Sequence, residues 1–161
     1  WQSELGLSLM DTKLDGEQVA GQLELRGSLW KRFRPGTFRV TTSWADFDAG
    51  DAYRQIDGDR YRLELSWAKR LQAITPSLRY RHEWNNRVDL NRGGGFASYS
   101  PIRQSLLGAL KWQVNPRWEA FLETEFIDSD YRDRNRLRDL NGEVRDIPRE
   151  NEKLIFSTGL S

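Results

Sequence analysis

The chain has 161 residues, of which 30% are charged, with a formal net charge of +1 and a mean hydropathy of -0.77. This length suffices for one domain with a sizeable core, the charge balance gives no reason to expect a nucleic-acid partner, and the absence of cysteine excludes disulfides and thiolate metal sites. No stretch approaches the roughly 18 to 20 apolar residues of a spanning helix, but spanning β-strands need only about ten alternating residues.

Apolar and polar residues alternate with a period of two in eight segments, the pattern of β-strands with one apolar and one polar face. The stretch DRYRLELSWAKRL, residues 59–71, shows this alternation without a break. The predicted strands cover residues 1–10, 19–30, 37–47, 59–69, 74–85, 102–114, 117–128 and 152–161. No segment shows a convincing helical period.

The connections between these strands alternate in length. The first, third, fifth and seventh span about 8, 11, 16 and 23 residues, whereas the second, fourth and sixth span about 6, 4 and 2. Short turns at one end and long loops at the other are typical of outer-membrane barrels. Soluble sandwiches and lipocalin-type barrels also have uneven loops, but alternation along the whole chain favours the membrane barrel.

Each strand presents an apolar face, rich in Leu and Trp, and a charged face. Two closed barrels fit: the apolar face fills a dry interior, or it meets lipid while the charged face lines a polar lumen. In the second case the near balance of acids and bases predicts ion pairs in the lumen, with Arg residues of strands three to five facing Glu residues of strand seven. The residues assigned to this network are Glu24, Arg26, Arg39, Arg62, Glu64, Arg79, Arg81, Glu83, Lys111, Glu119, Glu123 and Glu125.

The positions of the tryptophans favour lipid outside. Six of the seven lie near strand ends on the apolar face: Trp1, Trp44, Trp67, Trp84, Trp112 and Trp118. Two rings of aromatic residues on either side of a Leu-rich band are typical of the two interfaces of a membrane. The interior of an eight-stranded barrel is only just wide enough for side chains, so many indoles would crowd it. Arg also outnumbers Lys on the strands, which suits paired burial. Five residues fall out of phase: Trp30, Leu107, Phe121, Ile155, and His82, which joins the apolar face.

No catalytic, cofactor or metal site is predicted. An outer-membrane enzyme acting on lipid A would need a His with a Ser and an acid at the outer rim. His82 is the single His, it falls on the apolar face near Trp84, and nothing fixes Ser98 or Ser100 beside it. The spacing of Asp46, Asp48 and Asp51, and of Asp128, Asp130 and Asp133, could suit a hard cation, but nearby Arg residues favour solvated loops.

The predicted loop 129–151 is the strongest candidate for external contact. Its Arg132, Arg134, Arg136 and Arg138 would suit the phosphates of lipopolysaccharide. The alternative is a mobile hydrophilic loop whose charges pair with one another. The GGG sequence at residues 93–95 predicts a loop tip rather than a phosphate-binding loop.

The segments RYRLELSWAKRL and ITPSLRYRHEW, and the stretch LLGALKWQVNPRWEAFLETEF, resemble strands of small bacterial outer-membrane barrels of the OmpA and OmpX type. LRYRHEW is also similar to strands of KdgM-type porins and of export-protein barrels, which have more strands. The resemblance implies an all-β fold: one antiparallel up-and-down transmembrane barrel over residues 1–161, with both termini on the periplasmic side. Barrels of this family usually end in an aromatic residue, whereas this chain ends in IFSTGLS, so we expect trimmed ends or a longer parent chain.

The expected function is that of a Gram-negative outer-membrane anchor, adhesin or surface-binding protein. Its expected partners are membrane lipid, lipopolysaccharide, and another envelope protein or a surface ligand. The main alternative is a porin or export channel that passes oligosaccharide or polymer. A soluble lipocalin-like binding barrel and a lipid-A-modifying enzyme are the further alternatives.

Overall fold

β-strands make up most of the part of the chain that the structure describes. The computed structural model describes residues 1–14, 17–50, 53–54, 57–88, 90–92, 95–132, 134–138 and 143–160. The strands are β1 (Gln2–Leu14), β2 (Glu17–Phe33), β3 (Gly36–Ala49), β4 (Gly58–Ala68), β5 (Ile74–Arg87), β6 (Leu90–Arg92), β7 (Gly95–Ala97), β8 (Pro101–Asn115), β9 (Trp118–Tyr131), β10 (Asn135–Arg138), β11 (Val144–Ile147) and β12 (Glu150–Leu160). No helix among the described residues is long and apolar enough to cross a membrane.

The eight long strands form one antiparallel sheet in the order β1-β2-β3-β4-β5-β8-β9-β12. Each long strand pairs with the long strands that precede and follow it along the chain, so the topology is up-and-down. The all-β, antiparallel, eight-stranded prediction is therefore confirmed. The observed strands match the predicted segments closely because alternation marks the residues that a single-layer sheet must sort between its two faces.

Three connections at one end of the sheet are short, as predicted. Residues 34–35 join β2 to β3, and residues 116–117 join β8 to β9. Between β4 and β5, Leu71 and Ile74 exchange backbone hydrogen bonds of 2.7 and 2.8 Å around a turn in which Gln72 has a φ of 50°. The strands therefore reverse within a few residues at this end.

The predicted first loop of about eight residues is wrong. β1 and β2 continue to pair up to Leu14 and Glu17, so only residues 15–16 separate the two strands. The polar run after Met10 lacks the apolar alternation that marked the other strands. Backbone pairing does not require apolar side chains, and the ladder continues without them.

Two of the predicted loops contain further strands. β6 and β7, between β5 and β8, join β10 and β11, between β9 and β12, in a second sheet of order β11-β10-β7-β6. The prediction of a single loop over residues 129–151 is thus wrong, because β10 and β11 lie within it and β9 and β12 extend into its ends. These strands are three or four residues long and lack a period-two pattern, so sequence alternation could not identify them.

The main sheet curls toward its charged face. The strand pairs with extensive backbone contact are all neighbours within one of the two sheets. Even so, Ser28, Thr41, Ser43, Glu83 and Ser105 are buried on the charged face. Ala45 and Pro101 are the buried apolar residues among those described. The apolar face is exposed at Leu5, Leu7, Leu9, Leu25, Leu29, Phe38, Val40, Tyr61, Leu65, Leu78, Leu106, Leu110, Leu122, Phe126, Leu154, Phe156 and Leu160. In a single-layer sheet, only curvature can shield one face and expose the other.

The main sheet is open between its two outer strands. β1 pairs only with β2, and β12 pairs only with β9, among the described residues. Side chains from Trp1 to Lys13 are exposed whichever face they belong to, as expected for an edge strand. The structure therefore has the strand order of an up-and-down barrel without the closing pair of strands.

Candidate functional site

The charged face is built from rows of residues that lie in register across neighbouring strands. One row runs from Arg26 on β2 through Ser43 on β3 and Arg62 on β4 to Glu83 on β5. The adjacent row runs through Ser28, Thr41, Glu64 and Arg81. β4 and β5 therefore hold two opposed Arg and Glu pairs: Arg62 of β4 faces Glu83 of β5, and Glu64 of β4 faces Arg81 of β5.

Both of these opposed pairs form ion pairs. Arg62 donates hydrogen bonds from Nε and Nη2 to Oε2 of Glu83, at 3.0 and 2.8 Å. Arg81 donates to Oε2 of Glu64 from the same two nitrogens, at 3.3 and 3.2 Å. Asn85 donates to the second oxygen of Glu83 at 3.0 Å, and Arg103 lies 3.8 Å from that oxygen. Glu83, only 5% exposed, thus has partners for both carboxylate oxygens.

A third ion pair joins strands that are not neighbours. Arg60 on β4 donates from Nη2 to Oε2 of Glu24 on β2 at 3.0 Å, and Gln22 donates to the same oxygen at 2.9 Å. Ala45 on β3 lies in register between Arg60 and Glu24 and is fully buried. The methyl side chain leaves room for the longer side chains to meet above it. Arg60 was absent from the predicted network because nothing in the strand pattern indicates a contact across two strands.

A cation–π cluster lies next to this pair. The guanidinium carbons of Arg87 and Arg60 lie 3.9 and 5.1 Å from the ring centre of Phe47. Gly58 lies in register between Phe47 and Arg87, so no side chain separates them. Such contacts stabilise a cation on an aromatic face by about 0.5–2 kcal/mol. No sequence pattern indicated this cluster.

Arg26, Arg39 and Arg79 of the predicted network form no ion pair within the described residues. Arg39 instead places its guanidinium carbon 4.5 Å from the ring centre of Trp30, its partner in register. This contact accounts for the out-of-phase Trp30, which supplies an aromatic surface to the charged face. Arg79 is half-buried and Arg26 is exposed.

The glutamates of β9 do not reach the arginines of β3–β5 in this structure. Glu119 pairs with Lys111 on the neighbouring strand at 3.4 Å, and Glu123 and Glu125 form no ion pair with any described residue. Three strands separate β3 from β9 in the order of the sheet, and Arg39 and Glu123 line one cavity without forming an ion pair. The ion pairs on the charged face join strands that are adjacent or one strand apart.

Apolar side chains interrupt the charged face on β8, β9 and β12. The out-of-phase residues Leu107, Phe121 and Ile155 lie there, and the ring of Phe121 lies against Gly159. The arginines of the predicted network therefore lie on β2–β5, whereas β9 contributes only glutamates to it.

Aromatic residues form a row across the long-loop end of the apolar face. Trp44, Tyr61 and Trp84 lie in register on β3, β4 and β5, and the indole N–H of Trp44 donates to Asp59 at 3.0 Å. The ring of His82 stacks on Trp84 with centres 3.9 Å apart, and Tyr80 Oη lies 3.2 Å from His82 Nδ1.

A second group of aromatic residues lies at the short-turn end. The predicted Trp1, Trp112 and Trp118 are at least half exposed, and the indole of Trp67 donates to the Pro35 carbonyl at 3.0 Å. Phe33 was not predicted as a member. It contacts Trp1 edge-on, with ring centres 6.4 Å apart, and its sequence position just before a turn gave no signal.

The outer-end residues have varied surroundings. Arg132 donates to the Asn86 side chain at 3.0 Å, Arg134 and Arg136 are exposed, and Arg138 lies in β10 with its side chain outside the described part. Fully buried Ser98 and Ser100 bind backbone rather than His82: the Ser100 hydroxyl bonds the amide and carbonyl of Arg87, at 2.9 and 3.2 Å.

The acidic clusters do not remain in loops. Asp46 and Asp48 lie on β3, and Asp128 and Asp130 lie on β9. Asp51 and Asp133 lie outside the described residues, as do residues 93 and 94 of the GGG sequence. Among the residues that are described, no three acidic or His side chains group closely enough to hold a metal ion.

Comparison with known proteins adds no further constraint. No protein family, curated protein or solved structure matches the chain. The class of the protein therefore has to be argued from its own residues and geometry.

Proposed function

We propose that this chain forms the wall of a β-barrel in a bacterial outer membrane, with its apolar face against lipid and its charged face toward a polar interior. One observation carries the proposal: the exposed side of the curled sheet is apolar, and the shielded side is charged. Contiguous exposed apolar surfaces larger than a few hundred Å² mark contact with membranes or other proteins.

The spacing of the aromatic residues supports a membrane. On β8, Ile102 pairs with Trp84 in the outer row, and Trp112 belongs to the group at the turn end. These two positions are ten residues apart, or about 33 Å along a strand. At a tilt of about 40°, this corresponds to the roughly 25 Å height of the apolar band of outer-membrane barrels.

The directions of the edge strands are compatible with closure. β1 and β12 run antiparallel, because each of the seven steps across the sheet reverses the strand direction. Pairing of β1 with β12 would continue the antiparallel pattern and remove both exposed edges. The proposed barrel has eight strands, formed by one chain.

The proposed role is that of a membrane anchor with a binding surface at the long-loop end. Exposed Arg134 and Arg136 extend from β10, beyond the aromatic row. Guanidinium groups form bidentate, charge-assisted hydrogen bonds with phosphate. Lipopolysaccharide, whose phosphates lie at the outer surface of the membrane, is the proposed partner.

A channel is the second candidate, and it applies to a barrel in which charges that lack partners in the open sheet stay unpaired after closure. Arg26, Arg79, Glu123 and Glu125 form no ion pairs among the described residues, although Arg79 and Glu123 line the same cavity. Unpaired charges require water, so a lumen that contains them would be hydrated rather than sealed. Such a lumen would pass charged or hydroxylated solutes such as oligosaccharides.

Two arginine substitutions on β8 test which face meets lipid. Leu106→Arg adds a charge to the middle of the apolar face, whereas Ala109→Arg adds one to the charged face, opposite the unpaired Glu123. In protein refolded into phospholipid vesicles, we expect Leu106→Arg to lower the free energy of unfolding by about 2–4 kcal/mol. We expect a change below about 1 kcal/mol for Ala109→Arg.

The opposite ranking would overturn the proposal. Leu106 is 48% exposed, so in a water-soluble barrel its replacement by Arg would cost little. Both substitutions change the net charge equally, which makes each a control for the other. Unfolding is followed by loss of the compact, heat-modifiable band on detergent gels.

Planar-bilayer recordings separate the anchor from the channel. A silent membrane after insertion supports the anchor. Stable conductance steps support the channel, provided that Arg79→Glu shifts the preference between anions and cations. Steps that this substitution leaves unchanged would contradict a lumen lined by the charged face.

A further inference from the structure

A small cavity on the charged face contains more positive than negative charge. It has a volume of about 170 Å³, and it lies where the sheet curls over β2–β5. Its lining comprises four arginines, two glutamates and two hydroxyl residues: Glu24, Arg26, Thr41, Ser43, Arg62, Glu64, Arg79 and Arg81.

The carboxylates present do not balance the arginines of the cavity. Arg81 pairs with Glu64 at 3.2 Å, and Arg62 pairs with Glu83, which lies outside the cavity lining, at 2.8 Å. Glu24 is bound by Arg60 at 3.0 Å. Each carboxylate that lines the cavity thus already has an arginine. Glu123 lines a neighbouring cavity together with Arg79 but forms no ion pair with it. Arg26 and Arg79 are left with no ion pair or hydrogen bond in the described part of the chain.

A hydroxyl group is also available in the cavity. Ser43 lies in register between Arg26 and Arg62 and is only 8% exposed. Its hydroxyl forms no hydrogen bond with a described residue, whereas the Thr41 hydroxyl is bonded to Ser28 at 2.9 Å. The cavity thus contains two guanidinium groups without counterions and one free hydroxyl donor. These groups can bind an anion, and no carboxylate of the cavity lining takes that place.

We propose that this cavity binds a small anionic solute carrying a phosphate or two carboxylates, held between Arg26 and Arg79. Exposed Arg26 forms the entrance, and half-buried Arg79 lies deeper. The planar donor fork of arginine matches the oxygens of phosphate and carboxylate in a bidentate manner, and Ser43 donates a further hydrogen bond. The volume limits the ligand, or the part of it that enters, to a few non-hydrogen atoms beyond the anionic group.

Calorimetric titration of the refolded protein in detergent tests this site. Inorganic phosphate and malonate are titrated separately at constant ionic strength, with chloride as the competing background. We expect saturable binding of at least one of them, and Arg26→Gln and Arg79→Gln each to weaken it about tenfold or more. Arg117→Gln, which removes the same charge from the exposed turn at residues 116–117, is the matched control and should leave binding unchanged.

The comparison of the two probes identifies the anionic group. Preference for phosphate assigns a phosphorylated solute, and preference for malonate assigns a dicarboxylate. If neither probe binds saturably, there is no site and the proposal is overturned. If Arg117→Gln weakens binding as much as Arg26→Gln and Arg79→Gln do, the attraction is unspecific and the proposal is likewise overturned.

Arg79→Lys covers the case in which Arg79→Gln does not refold. The lysine keeps the charge but lacks the planar fork, so we expect binding to weaken severalfold while the protein still folds. Unchanged binding in Arg79→Lys would contradict bidentate recognition. The titration in detergent does not depend on which face meets lipid, so the anion site and the membrane proposal can fail independently.

Discussion

Individual residues on the charged face differ in how much they contribute to stability. Glu83 receives hydrogen bonds from Arg62 and Asn85 and is nearly inaccessible to water, whereas Glu123 has no ion-pair partner among the described residues. Removing one member of a buried ion pair leaves the other charge buried without compensation. The same substitution should therefore have unequal effects at these two glutamates.

We expect Glu83→Ala to lower the free energy of unfolding by about 3 kcal/mol, since Arg62 would lose its carboxylate. Glu123→Ala, the matched control, should change it by less than about 1 kcal/mol. Urea titration of refolded protein measures both. Equal losses would show that the Arg62–Glu83 pair does not stabilise the fold beyond an ordinary surface charge.

Residue-scale contacts were only partly predictable from the sequence. The opposed arginines and glutamates of β4 and β5 follow from period-two alternation, which fixes the face of each side chain. The Arg60–Glu24 pair depends on the small size of Ala45 on the intervening strand, and the contact of Arg87 with Phe47 depends on Gly58. Such contacts need the register of three strands, which no local pattern specifies.

At the scale of elements, the long strands are marked by a sequence pattern, whereas the short strands are not. The eight long strands sort residues between two environments, so their sequences carry a pattern that predicts them. β10 and β11 pair through residues 135–138 and 144–147 without any such sorting. Their pairing is set by the positions at which β9 and β12 end, and these positions are known only once the sheet has formed.

We expect the second sheet to be dispensable for folding. Replacement of residues 134–147 by a short Gly-Ser linker removes β10 and β11, which pair with each other and with β7 but not with the main sheet. The lost contacts include the β10–β7 pairing and the hydrogen bond from the Ser98 amide to the Asn135 side chain, the latter contributing about 1 kcal/mol. The variant should keep its heat-modifiable migration, and loss of that migration would show that the outer strands support the main sheet.

The same region carries the proposed binding surface for lipopolysaccharide. We expect the double variant Arg134→Gln/Arg136→Gln to bind lipopolysaccharide-coated surfaces at least about tenfold more weakly than the parent chain, because two phosphate-binding side chains are lost. Arg117→Gln at the opposite end is the control. Comparable weakening in the control would indicate attraction by overall charge.

At the scale of the whole molecule, closure is the property that the strand pattern could not decide. Alternation predicts eight strands and their faces, but it is the same in an open sheet and in a barrel. Closure depends on whether β1 and β12 pair with each other, and their side chains are exposed on nearly every position of both faces. This question calls for a measurement of proximity.

The absence of native cysteine allows that measurement directly. We expect Ser8→Cys/Ser157→Cys, with one cysteine on each edge strand, to be cross-linked within one chain by a short bismaleimide in refolded protein. Ser28→Cys/Thr41→Cys is the positive control, since these hydroxyl groups lie 2.9 Å apart. Cross-linked dimers, or no product where the control reacts, would contradict a barrel formed by a single chain.

The near absence of buried apolar side chains affects how the newly synthesised chain can fold in water. Ala45 contributes one methyl group to the interior, which is far too little to make a newly made chain collapse on its own in water. In water, its exposed leucines and tryptophans would promote aggregation. For the membrane barrel proposed above, we therefore expect the chain to need a chaperone before insertion and to complete its folding in the bilayer.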